Sequence, residues 1–250
     1  KYFGDGTVKA FVYGSGHRCI LPTEEVRSQL EVLQEFQAYT NALITARRSA
    51  PEEDMITFLT TVEYSPLNRK LTDAEINGIV YAMVIGGLET TQYALAEQVQ
   101  LVIENHAVWQ ALKEDKRKVR AFTEEGMRLR APTQGLSTRT TSQEEVFQGV
   151  AVPKGSFLHM RWAAANIDPL EWDDPTELKL DRKAGTRHLT FSQGARVCPG
   201  ASLSRLEQVE AWNALIDRID HFEYAQDNTF THQPGIMLGI TKLNLAFKKQ

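Results

Sequence analysis

The chain has 250 residues, of which 42% are hydrophobic and 24% charged, with a formal net charge of −4. That composition is ordinary for a globular protein and long enough to bury a sizeable core. The mild negative charge, with no basic stripe interleaved with aromatics, argues against a nucleic-acid or anionic-lipid partner. Its two cysteines, Cys19 and Cys198, do not make a disulfide framework, so a reducing, cytoplasmic setting is expected. The apolar run from Ile79 to Ile85 is too short to span a bilayer, which needs about 20 apolar residues.

Residues 1–22 are Gly-rich and irregular and read as a connector. Pro22-Thr23-Glu24-Glu25 then has the form of a helix start, with acidic groups facing the positive end of the dipole. Val26, Leu30, Leu33, Phe36 and Leu43 follow at helical spacing, and the helix should stop near Pro51. Residues 52–60 read as a second, short helix.

Thr72 and Glu75 form a capping-box pattern, after which no proline interrupts the chain until well past Glu104. A helix over that stretch would be roughly 50 Å long at 1.5 Å per residue. Its middle, IVYAMVIGGL, is apolar nearly all round, which predicts burial in the core. Yet Gly86-Gly87 and Glu89-Thr90-Thr91 sit in the same stretch. Helix-weakening glycines beside a carboxylate and hydroxyls favour something other than packing.

A further helix is predicted from about Lys116 to Arg130, ending before Pro132. Two strands flank the turn Pro153-Lys154-Gly155, with Val150, Val152, Phe157 and Met160 as their apolar side chains. Residues 166–197 carry little periodicity and many turn residues, as functional loops do. After Gly200 the pattern is helical again, with Leu203, Leu206, Val209, Trp212, Leu215 and Ile219 on one face. A last hairpin is expected around Gly235–Phe247. The fold class is mainly α with minor β.

The segment Phe191-Ser-Gln-Gly-Ala-Arg-Val-Cys-Pro-Gly200 places one cysteine just before a helix. A helix N-terminus stabilises a thiolate, and a thiolate is a good axial ligand for haem iron. Gly194 and Gly200 would let the backbone approach a flat macrocycle, and Arg196 is placed to pair with a propionate. A lone cysteine is as often a small buried hydrophobe. The whole string F-x-x-G-x-R-x-C-x-G is far more specific, and at each of those five positions it resembles the haem-binding loop of the cytochrome P450 family.

Other segments agree with that resemblance, in the family's order. Glu125 and Arg128 lie three apart on one helix and can pair; taken alone, such a pair is a common exposed ion bridge. The resemblance joins to them an arginine from the irregular segment, here Arg182, in a structural network that fixes the cysteine loop. Gly86, Gly87, Glu89 and Thr90 resemble the family's long central helix, where an acid and an alcohol serve proton delivery to iron-bound dioxygen and the glycines leave room for it. By itself G-G-x-E-T-T would read as a helix kink. Arg139 and His188 match residues that hold propionates, and Met83, Val84, Leu136, Ile236 and Met237 fall where pocket walls are expected.

The resemblance covers residues 23–250 and implies the haem-binding part of a single P450-like domain, with the long helix over the haem. Complete members carry several helices and most of the main sheet ahead of this segment, so an N-terminal region is expected to be missing. The resemblance implies a bacterial-type monooxygenase that carries haem b (iron protoporphyrin IX) and uses dioxygen to oxidise a small apolar substrate. Electrons would come from a separate ferredoxin or flavodoxin with its reductase, received near Lys183, Arg187, Arg196 and Arg205. Two alternatives stay open: a peroxide-using haem-thiolate enzyme, and a haem-binding or partner-binding fragment without turnover.

Overall fold

The computed structural model describes residues 22–135, 138–182, 187–229, 231–232 and 237–250. The connector expected over residues 1–22, with Cys19, lies outside them but for Pro22. Two compact units are present, the first ending at Glu89 and the second running from Thr90 to Gln250.

In the first unit, helix α1 (Thr23–Ser49) starts directly after Pro22 and stops before Pro51. Glu24 and Glu25 occupy its first turn and Arg47 and Arg48 its last, so both ends complement the helix dipole. Helix α2 (Met55–Thr61) is capped by Asp54, whose side chain accepts the Thr57 N–H at 2.8 Å. Strands β1 (Glu63–Tyr64) and β2 (Arg69–Lys70) pair antiparallel. Ile44, Leu59 and Ile76 form a small core, with Ile56, Leu71 and Ile79 against it.

Helix α3 (Asp73–Glu104) is the long helix that the capping box predicts. The Thr72 N–H donates to Glu75 Oε2 at 2.8 Å and the Glu75 N–H returns to Thr72 Oγ1 at 3.3 Å. Burial of its middle is not observed. Met83 and Leu88 are each 48% exposed, and Gly86 and Gly87 are exposed as well. The reason lies in what covers the helix: buried residues cluster near its start (Ile76, Asn77) and in its second half (Thr91 to Val102), and the described elements leave the stretch between them open.

The second unit is built on α3's second half, α4 (His106–Glu114), α5 (Val119–Leu129) and α7 (Ala201–Arg218), with the single turn α6 (Trp162–Ala165) between the last two. Trp109, Leu112, Phe122 and Trp212 are at most 2% exposed and form its centre. The Phe122 and Trp212 rings meet edge to face at 4.9 Å between centroids. Each such side chain contributes about 1.5–3 kcal/mol by leaving water. Helix α4 has no counterpart in the sequence reading, although Trp109 and Leu112 are spaced for one face.

The inward face of α7 also differs from expectation. Leu203 and Leu206 are 58% and 57% exposed, whereas Gln208, Trp212 and Ile216 are buried. A polar seam explains this. Gln98 of α3 donates from Nε2 to Gln208 Oε1 at 2.6 Å and accepts the Trp212 indole N–H at 2.7 Å. Two turns earlier on α3, the Thr91 and Ser204 hydroxyls share a 3.0 Å hydrogen bond. Buried polar groups must be satisfied, so these partners, rather than the leucines, set which side of α7 turns inward.

The strands are short and pair in twos. β5 (Val150–Val152) and β6 (Phe157–His159) flank the 153–155 turn as predicted, but they do not pair with each other: β5 pairs with β4 (Glu145–Phe147) and β6 with β3 (Thr138–Thr140). The expected hairpin over 235–247 is replaced by two pairings. β9 (Ile240–Lys242) returns to β8 (Thr231–His232), while the final strand β10 (Leu245–Lys249) pairs with β7 (Ile219–Tyr224), which leads directly out of α7.

Candidate functional site

Phe191 to Gly200 form the approach to α7. Gly194–Arg196 is a single 3-10 turn closed by the Val197 N–H on the Gly194 carbonyl at 3.1 Å. Gly194 has φ +73°, a left-handed conformation that strains any residue with a Cβ, so this glycine is required by the turn itself. Gly200 is different: its φ is −84°, and a Cβ there would make only ordinary contact with the Cys198 sulfur at 3.8 Å.

Cys198 lies two residues before Gly200, the N-cap of α7, and carries a free, exposed thiol. Its backbone is fixed at both ends. The Cys198 N–H donates to the Phe191 carbonyl at 2.8 Å, and its own carbonyl accepts the Ala201 N–H at 3.3 Å. Arg196, Val197 and Pro199 around it are also exposed. The loop therefore presents a soft sulfur donor on an open surface, backed by the positive end of an 18-residue helix. That donor set suits a soft or borderline metal centre held in a flat group laid against the loop.

The irregular segment that leads to this loop is held by a buried ion network. Arg128 and Glu125 on α5 are 0% and 1% exposed and bond bidentately, at 2.7 and 3.0 Å. Arg182 Nε reaches the same carboxylate at 3.1 Å. Arg128 donates further to the carbonyls of Asn166, Pro175 and Glu177, and both guanidiniums lie over the Trp172 ring at 5.0 and 5.9 Å. This is the three-residue network expected from the sequence, and it ties α5 to the irregular segment leading to Cys198.

His188, expected from the sequence to hold a propionate, is enclosed by the protein's own groups. Its ring is buried: Nε2 faces Glu124 Oε2 at 3.0 Å, and Nδ1 accepts the Thr190 N–H at 3.3 Å. Both nitrogens are engaged inside the protein because Glu124, 2% exposed, needs donors around its charge. Arg205 supplies two more, from Nε at 2.6 Å and Nη2 at 3.2 Å. Burial opposes ionisation of Glu124, but His188 and Arg205 outweigh it and hold the carboxyl below its ordinary range. Arg205 and Arg187 are thus not simple surface charges, since Arg187 pairs with Glu171. Lys183 lies outside the described residues.

Arg139 is exposed in the middle of β3, opposite Leu158. Thr90 is half-buried on α3 and begins the second unit, one residue before the Thr91 that bonds Ser204. Successive helical residues point about 100° apart, so Thr91 is committed to the α7 seam while Thr90 faces elsewhere. Glu89 is half-buried and closes the first unit, which also holds Met83, Val84, Gly86 and Gly87. A Cβ at either glycine would meet nothing within 4 Å. Met237 is 6% exposed and bridged to Thr133, whose hydroxyl approaches its sulfur at 3.7 Å. Leu136 and Ile236 lie outside the described residues.

Sequence reasoning passed over Glu97, which is fully buried on α3 with His232 Nε2 at 3.1 Å from one carboxylate oxygen. Burial raises its pKa above the ordinary value, although His232 and Arg130 pull the other way. An i,i+7 match to Thr90 was the available signal.

A family model for cytochrome P450 matches residues 17–247. The chain belongs to the cytochrome P450 family. It is 32% identical over 215 residues to the erythromycin C-12 hydroxylase of Saccharopolyspora erythraea, covering 85% of this chain and 53% of that protein. It is 29% identical over 221 residues to the polyketide biosynthesis cytochrome P450 PksS of Bacillus subtilis, covering 88% and 54%. Among solved structures, a mutant of P450 EryK in complex with erythromycin B is 29% identical with a TM-score of 0.85, over 98% of this chain and 62% of that one. The chain spans about half the length of the curated relatives it matches. The mainly α architecture with minor β is therefore a P450 fold. No helix among the described residues is long and apolar enough to cross a membrane.

Proposed function

We propose that this P450 chain supplies the cysteine-bearing part of a haem-thiolate monooxygenase acting on an apolar or amphipathic organic compound. The observation that carries the reading is the exposed Cys198 thiol, presented by a turn that requires Gly194 and preceded in the chain by a segment tied to α5 through the buried Glu125–Arg128–Arg182 network. Haem b held through a cysteine thiolate supplies the redox chemistry by which one oxygen atom of dioxygen enters a substrate and the other leaves as water.

The chain's own residues then have distinct tasks. Cys198 donates its thiolate to the iron, and Arg139 and Arg196, both exposed, offer their guanidiniums to the propionates. Phe191, Gly194 and Gly200 would shape the surface against the ring, and Gly86 and Gly87 would leave room for dioxygen beside their helix. Thr90 would hold a proton on its hydroxyl, and Glu89 would relay protons from solvent. The family resemblance assigns apolar contacts with the substrate to Met83, Val84, Leu136, Ile236 and Met237. Electrons come from a separate ferredoxin or flavodoxin with its reductase, in the cytoplasm. Arg187, Arg196 and Arg205 are the described basic groups near the cysteine loop that would receive an acidic partner.

The test is Thr90→Ala in haem-loaded protein supplied with electrons and a substrate that shifts its spectrum. Product per dioxygen consumed should fall several-fold, with peroxide released in its place. If that ratio is unchanged while peroxide alone supports turnover equally well in both proteins, the peroxide-using route replaces this one. Haem uptake with no spectral response to any substrate and no product would mark a binding protein without turnover.

A further inference from the structure

Glu124 is a buried carboxylate with no part in the chemistry proposed above. It stands beside Glu125 on α5, yet it belongs to a separate set of contacts. Three donors converge on it: Arg205 Nε at 2.6 Å, Arg205 Nη2 at 3.2 Å and His188 Nε2 at 3.0 Å. The Thr190 N–H occupies His188 Nδ1, which makes Nδ1 the acceptor and Nε2–H the donor to Glu124. The set is therefore satisfied with a neutral imidazole and one ion pair.

What these donors touch on their other sides gives the set its meaning. The Arg205 guanidinium lies over the Phe191 ring, 4.5 Å from its centroid, and the His188 ring packs against Phe191 at 5.9 Å. Both side chains that contact this phenyl ring are tied to the one carboxylate. The Phe191 carbonyl, in turn, accepts the Cys198 N–H at 2.8 Å. A continuous line of short contacts thus runs from α5 through Arg205 and His188 to Phe191 and on to the backbone of the ligating cysteine. A cation over an aromatic face attracts the ring's negative face, which favours the ring position seen here.

We propose that Glu124, His188 and Arg205 are positioning residues that clamp Phe191 and thereby set how Cys198 is presented to the iron. The proposal rests on the haem-thiolate reading. It goes beyond that reading by assigning control of ligation quality to a carboxylate on α5 that acts only through two other side chains. The neighbouring Glu125–Arg128–Arg182 network differs in kind, since its bonds end on Glu125 and on backbone carbonyls of the 166–177 segment rather than on the cysteine loop.

The experiment compares the haem-loaded parent with Glu124→Gln, His188→Gln, Arg205→Leu and Arg205→Lys. Three quantities are read for each: haem bound per chain, the thermal midpoint, and the share of the red-shifted Soret band in the reduced carbon monoxide complex. Trp109→Leu, a core change remote from these contacts, serves as a control for lost stability alone. Arg205→Leu and Glu124→Gln should lower the red-shifted share several-fold in the haem that remains bound. Arg205→Lys, which keeps a charge for Glu124 but not a planar group over Phe191, should fall between them and the parent. His188→Gln keeps one N–H donor and should fold if the others do not. The clamp is overturned if every variant that binds haem shows the parent's band, whatever its stability, or if Trp109→Leu lowers the share as much. An unshifted band in the parent itself would remove the haem-thiolate reading and the clamp with it.

Discussion

Arg182 donates from Nε to Glu125 Oε2 at 3.1 Å, joining the irregular segment before the cysteine loop to a helix 57 residues earlier in the chain. Glu125 is thereby shared between two arginines, and Arg128 is the more deeply committed, since it bonds both carboxylate oxygens and its side chain is fully buried, whereas Arg182 makes one such bond from a 9% exposed side chain. Removing one member of a buried ion pair leaves its partner's charge uncompensated. Arg128→Ala should cost about 3–5 kcal/mol of stability. Arg182→Ala, which leaves the Arg128 pair intact, should cost about 1.5–3 kcal/mol. Denaturant unfolding of the three proteins checks both values, and equal losses would contradict the hierarchy.

Gly126 tests the packing of α5 on α3 in a case where two effects oppose each other. In an open helix, glycine to alanine is worth about 1 kcal/mol of stabilisation. Here a Cβ would sit 2.5 Å from Gln98 Cγ, and Gln98 is held in place by Gln208 and Trp212. Overpacking of that sort costs about 1–3 kcal/mol, so Gly126→Ala should be net destabilising. A thermal midpoint above the parent's would show that the Gln98 seam yields easily.

How much of this was legible in the sequence depended on whether a feature was local. The capping box of α3 and the Pro22 and Pro51 limits of α1 rest on neighbouring residues, and they stand as read. Glu125 and Arg128 were legible by their spacing, but Arg182 came only through the family pattern, because nothing local links residue 182 to α5. The α7 face was legible in part: Trp212 is buried and Val209 and Leu215 pack on the core as their spacing predicts, while Leu203 and Leu206 depart from it for a physical reason. Hydrophobic periodicity points leucines inward, yet here Gln98 and Thr91 on α3 supply polar partners that draw Gln208 and Ser204 in and turn Leu203 and Leu206 outward. The pairing of His188 with Glu124 was not legible, since the two lie 64 residues apart.

Glu75 gives the clearest dependence on pH. Arg69, then the Thr72 N–H and hydroxyl, hold its carboxyl down from the ordinary 4.5 to about 2. A carboxyl lowered in the folded state contributes stability above its unfolded value, and that contribution is lost as pH falls. The parent's advantage over Glu75→Gln should therefore be constant above about pH 5 and shrink between about pH 4.5 and about pH 2. Denaturant midpoints of both proteins across that range check this. An advantage that grew on acidification would contradict the assignment.

The central claim is that Cys198 is the iron ligand. Its most direct test is the absorption spectrum of the protein reduced with dithionite under carbon monoxide, recorded for the parent and for Cys198→Ser. The account predicts a strongly red-shifted Soret band in the parent and its loss in the variant. A band at the position of histidine-ligated haem in the parent, or a red-shifted band that survives in Cys198→Ser, would contradict it.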